Sequence, residues 1–186
     1  MAAFTPTPAS SLLLVIDVQE RFATAIPSIA ADQPTGRNCR ILAEAAGLLG
    51  VQRLATEQVP DKLGPTVAHL AAVLGPAPRP GKTYFSCWDD GAIRAAIAGS
   101  LASDIVLCGI EAHVCVLATA ADLLAAGRRV IVAADAVDSR KPESRQTALA
   151  AMRDLGALVV PTESIVFRWQ RQAGTGAFKQ ISALVK

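Results

Sequence analysis

A chain of 186 residues is long enough for one domain with a sizeable core. Hydrophobic residues make up 52% of it and charged residues 18%, a balance that argues against disorder. The net charge of +2, with no concentrated basic patch, argues against nucleic-acid binding.

The opening MAAFTPTPASS lacks a basic stretch followed by a long apolar core, so it is not read as a signal peptide. With Pro6 and Pro8 it is expected to be a loosely held tail over residues 1–10, ahead of a single domain over residues 11–186. Apolar runs bounded by Gly, Pro or charge then predict strands at Ser11–Val18, Val51–Thr56, Gly81–Phe85, Asp104–Gly109, Arg129–Ala134 and Ala157–Val160. Helical patterns lie between them at Arg37–Leu49, Asp89–Ala98, His113–Ala126 and Pro142–Leu155. Pro142 suits a first helical turn, and Gly127 and Gly156 suit left-handed helix ends. The most basic piece, Arg168–Arg171, is expected to be an exposed helix face.

Unbroken apolar strands alternating with helices predict an α/β fold: three layers, with a doubly wound, mainly parallel sheet of about six strands. No run is long enough to span a bilayer, so no membrane partner is expected. The cysteines, Cys39, Cys87, Cys108 and Cys115, are too few for a disulfide scaffold, which favours a reducing, cytoplasmic setting. The low surface charge suggests a homo-oligomer.

Ligands of such sheets bind at the carboxyl ends of the strands, which selects Asp17, Glu57, Lys82 and the loop after Gly109. A metal site needs converging ligands, but the two histidines, His69 and His113, are far apart. A CxxC pair, a GxGxxG turn and a phosphate loop are all missing. An aspartyl-nucleophile phosphatase would want a second acid two residues after Asp17, and that residue is Gln19. Cys108 reads as a buried strand hydrophobe, and Cys39 and Cys87 carry no special signature. Cys115 falls where a helix begins, and the free N–H groups and dipole there can lower a thiol pKa from about 8.5 into the range of about 3.5–7.5. Spacing alone does not separate a reactive Cys115 from a buried helix-start residue. Asp17 ends a buried strand, where an unpaired charge costs several kcal/mol.

The segments LLVIDVQERF, TEQVPDKLGPT, GKTYFSCWDD and LCGIEAHVCVLATAADLLAAGRRVIVAADAVDSR, in that order, resemble the isochorismatase-like cysteine hydrolase superfamily. They are closest in form to its metal-free branch of mammalian isochorismatase-domain and bacterial YcaC-like proteins. The resemblance implies a catalytic triad of Asp17, Lys82 and Cys115, and a cis peptide at Ile110–Glu111. It implies an oxyanion hole from the N–H groups of Val114 and Cys115, and a substrate pocket walled by Phe22 and Trp88. It also implies a small-molecule amide-like substrate attacked by Cys115, no cofactor and no metal. The segment LATEQVPDK lacks the histidines with which nicotinamidases of the superfamily bind a metal. True isochorismatases often lack the cysteine, so its presence here points to C–N bond cleavage. The alternative is a non-catalytic or redox-sensing member, in which Cys115 binds or is oxidised rather than acylated.

Overall fold

The structure, a computed structural model, describes residues 4–186. Six strands form one all-parallel sheet: β1 Ser11–Ile16, β2 Gln52–Gln58, β3 Gly81–Lys82, β4 Asp104–Ile110, β5 Arg129–Asp138 and β6 Leu158–Val160. Their spatial order is β3-β2-β1-β4-β5-β6. The eight α-helices described are α1 Pro34–Leu49, α2 Pro60–Leu63, α3 Ala68–Leu74, α4 Gly91–Gly99, α5 Leu117–Ala125, α6 Pro142–Asp154, α7 Thr162–Gln170 and α8 Phe178–Leu184. Together they make the expected three-layer α/β fold. Among the described residues, no helix is long and apolar enough to cross a membrane.

Strand side chains alternate between two cores because successive Cβ atoms point to opposite faces. Leu13, Val15, Val106, Cys108 and Ile110 pack with Leu42 of α1 and with Ile165 and Trp169 of α7. Leu12, Leu14, Ile16, Ile105 and Leu107 pack with Ile93 of α4, Leu123 of α5 and Met152 of α6. Each fully buried Leu or Ile contributes roughly 1.5–3 kcal/mol relative to exposure. Local chemistry fixes the helix ends. Pro34 and Pro142 open α1 and α6, and Asp90 caps α4 by accepting from Ala92 N and Ile93 N, each at 3.0 Å. Gly50 closes α1 at φ +72°.

Several expectations need correction. Residues 4–10, expected to be a loose tail, make contacts with the domain: Phe4 packs against the α1 core, Pro6 is buried, and Ser10 Oγ donates to Asp104 Oδ2 at 3.0 Å. Residues 1–3 of the expected tail lie outside the described residues. Strand β3 stops at Lys82 instead of Phe85, because the Tyr84 and Phe85 carbonyls turn back onto the lysine's own ammonium. Strand β5 runs four residues past Ala134, and its register with β4 shifts between Leu107 and Gly109. Arg168–Arg171 is not an exposed face: Trp169 and Gln170 are buried, and Trp169 Nε1 donates to Ser11 Oγ at 3.0 Å.

Candidate active site

The winding direction of the sheet reverses between β1 and β4, which are neighbours in space. Crevices at the carboxyl ends of strands at such a switch point are where doubly wound sheets bind ligands. Asp17 follows β1 directly and Cys115 lies five residues past β4. Gly109, near the end of β4, permits the close approach. It has φ +114°, and a Cβ there would sit 2.0 Å from the Ile16 carbonyl oxygen.

Asp17 is fully buried, with φ +53°, in a region that L residues rarely occupy. Such a conformation costs about 1–3 kcal/mol and has to be held by its surroundings. Thr56 of β2 holds it twice. The Asp17 N–H donates to the Thr56 carbonyl at 3.2 Å, and Thr56 Oγ1 donates to Asp17 Oδ1 at 2.8 Å. The other carboxylate oxygen, Oδ2, accepts from Lys82 Nζ at 2.7 Å, and neither side chain of this ion pair is exposed.

The Lys82 ammonium also donates to Gln58 Oε1 at 2.5 Å, Tyr84 O at 3.1 Å and Phe85 O at 3.2 Å. Burial alone would lower its pKa, but Asp17 and the two nearby thiols outweigh burial and raise it. Lys82 is therefore a fixed positive charge. Gln58 is aimed by a buried clamp. Its N–H donates to Gln19 Oε1 at 2.7 Å, Gln19 Nε2 returns a bond to the Gln58 carbonyl at 3.0 Å, and Gln58 Nε2 donates to Thr83 O at 3.0 Å.

Cys115 sits in one wide helical turn, Ala112–Val116, that feeds α5. In that turn Val116 N donates to the Glu111 carbonyl at 3.2 Å, five residues back. Burial first, then the Asp17 carboxylate, pushes the Cys115 thiol up to about 12, against the opposing pull of Lys82. This corrects the expectation of a lowered thiol pKa. The helix start does not prevail over desolvation and a nearby carboxylate. In the resting protein Cys115 is a thiol with a carboxylate nearby.

The Ile110–Glu111 peptide bond is cis. The Glu111 carboxylate accepts from the Arg140 N–H at 3.0 Å and pairs with its guanidinium at 3.0 Å, which ties this turn to the loop after β5. His113 Nδ1 lies 2.9 Å from Ser139 Oγ. The Val114 N–H, expected to face an oxyanion, donates to the Glu111 carbonyl at 3.0 Å. Of the expected pocket walls, Trp88 packs against the core that contains Cys115, and Phe22 packs against the core on the α1 side.

Sequence reasoning missed Thr56, Gln58, Gln19 and Cys87. Cys87, read as featureless, is wholly buried on the Cys115 side of the sheet, with its Sγ 3.8 Å from Thr56 Oγ1. Burial, then Asp17, pushes its thiol up to about 11. Its N–H donates at 2.9 Å to Thr119 Oγ1, one helical turn beyond Cys115. Cys108 faces the α1 core, where Cys39 also packs, so the sheet separates it from Cys115.

Residues 11–164 match the isochorismatase domain. The mouse isochorismatase domain-containing protein 2A is 40% identical over 181 residues, covering 96% of this chain and 84% of that protein. The structure of the MAR1 ribonuclease from Caenorhabditis elegans is similar at 34% identity and TM-score 0.87, covering 97% of this chain and 91% of that one. The Escherichia coli YcaC gene product, described as an octameric hydrolase of unknown specificity, has TM-score 0.87 at 19% identity. That match covers 100% of this chain and 89% of YcaC, and it shows a shared fold. With the domain matched across the whole sheet and a relative aligned over nearly the full chain, this protein belongs to the isochorismatase domain family of hydrolases.

Proposed function

We propose that the protein is a metal-independent cysteine hydrolase that cleaves a C–N bond of a small amide-like molecule through a thioester. The observation that carries this reading is the buried Asp17–Lys82 ion pair set against the Cys115 thiol. Taking two charges out of water costs several kcal/mol per ion, and replacing such a pair with packed hydrophobic residues is often neutral or stabilising. Its retention beside a thiol fits a chemical role.

In the proposed reaction Asp17 accepts the Cys115 proton as sulfur attacks the carbonyl carbon. Lys82 stays protonated and steadies both the carboxylate and the sulfur anion. The oxyanion that forms is assigned to the Cys115 N–H, joined by the Val114 N–H once it leaves the Glu111 carbonyl. An oxyanion donor of this type is worth about 2.7–4 kcal/mol. Asp17 then passes its proton to the leaving amine, and afterwards activates the water that cleaves the thioester. Trp88 and Phe22 are proposed to border the substrate.

A second reading comes from the C. elegans relative, whose structure is named a ribonuclease. A reacting group as enclosed as Cys115, 6% exposed, favours a small substrate over a polymer. One experiment addresses both. A panel of small amides and imides is screened beside single-stranded RNA, with and without EDTA. The expected result is amide turnover that EDTA leaves unchanged and that Cys115→Ala and Asp17→Asn abolish. RNA cleavage lost in Cys115→Ala, with no amide turnover, would support the second reading.

A further inference from the structure

Two thiols flank one base at this site, and hydrogen counting separates their roles. Thr56 is 1% exposed and opposite Ile16 in the β1–β2 register. Its Oγ1 stands between Asp17 Oδ1 at 2.8 Å and Cys87 Sγ at 3.8 Å. A hydroxyl has one hydrogen, and an ionised carboxylate only accepts. With Lys82 paired to Oδ2, the Thr56 hydrogen goes to Asp17. The Cys87 S–H is then the donor towards Thr56, and it meets a hydroxyl oxygen instead of the base.

We propose that Thr56 is a positioning residue that selects the nucleophile. It occupies Asp17 Oδ1, holds the carboxylate through backbone and side chain together, and screens it from Cys87, so that the base takes its proton from Cys115. The proposal rests on the reading of Asp17 as base and Cys115 as nucleophile. In alkylation by iodoacetamide the Cys115 S–H proton moves to the Asp17 carboxylate, a sulfur–carbon bond forms and iodide leaves.

Labelling by this route needs an ionised carboxylate, so its rate falls on the acid side of the profile. Loss of a hydrogen-bond donor to a carboxylate disfavours the charged form, which moves that acid limb to higher pH.

The test measures Cys115 labelling by iodoacetamide from acid to neutral pH, with peptide mapping. Thr56→Val keeps the branched shape without the hydroxyl. It is expected to move the acid limb up by about one pH unit, which is about tenfold in proton affinity. Thr56→Ala, which removes the hydroxyl without adding a methyl, is expected to give the same shift if the valine variant fails to fold. Thr56→Ser should keep the limb at its wild-type position, and so should Cys87→Ala.

The proposal is overturned if the hydroxyl-free variants slow labelling by one factor at every pH. It is also overturned if Thr56→Ser shifts as far as Thr56→Val, or if Cys87→Ala moves the limb. A wild-type limb that survives in Asp17→Asn would instead refute the parent reading of Asp17 as base, whatever Thr56 does.

Discussion

Asp17, Lys82 and Cys115 are single side chains whose chemistry is set by one another. Asp17 and Lys82 were legible as charged residues at strand ends, and Cys115 through its motif. Their partners were not. Thr56 and Gln58 look like ordinary strand residues, and their importance lies in contacts with β1 and the Lys82 turn, which sequence spacing does not encode. Cys87 escaped for the same reason. Its raised thiol pKa has a measurable consequence. A thiol that ionises near 9 when unfolded and near 11 when folded stabilises the fold below pH 9, and that stability is lost as pH rises from 9 towards 11. Two units amount to roughly 3 kcal/mol. Melting temperature should therefore fall steeply above pH 9, and Cys87→Ala should flatten that slope. An unchanged slope in the variant would show that Cys87 is not a source of it.

At the scale of elements, the alternation of apolar runs and helical patterns located the six strands, because a doubly covered parallel strand has little room for polar residues. The errors have physical causes. Strand β5 was cut short because Asp135 and Asp138 interrupt its apolar run, yet both are satisfied: Asp135 accepts from Thr162 N at 2.7 Å, and Asp138 from Ser139 N at 2.8 Å. The basic end of α7 hid a helix anchored by one buried tryptophan. The junction of β1 and β4 is the element on which the site depends. Gly109→Ala is expected to push the Ile16 carbonyl outward and displace Asp17. It should destabilise the fold by about 2 kcal/mol or more, as overpacking commonly does, and reduce Cys115 labelling. Thermal unfolding together with labelling checks this, and a variant with wild-type values in both would contradict the close-approach argument.

For the whole molecule, the fold places a strained carboxylate, a fixed ammonium and a thiol at the switch point of one sheet. Tyr84 and Phe85, whose carbonyls hold Lys82, are 55% and 61% exposed, an apolar surface in keeping with assembly into a homo-oligomer. A solution mass that is a multiple of the monomer is expected, and a monomer mass at every concentration would contradict assembly. Reversible peroxide sensing fits less well, since oxidation favours exposed thiolates and Cys115 is a buried thiol.

Cys115 is proposed to be a protonated thiol that Asp17 deprotonates on demand. This is tested most directly by the pH dependence of Cys115 alkylation in the wild type and in Asp17→Asn. An acid limb and a plateau are expected in the wild type, with full ionisation only towards pH 12. In Asp17→Asn the neighbouring negative charge is gone and Lys82 remains, so the plateau should be lost: labelling should rise with pH as one thiol ionisation, complete at lower pH than in the wild type, while amide turnover is lost. Identical profiles in the two proteins would contradict it.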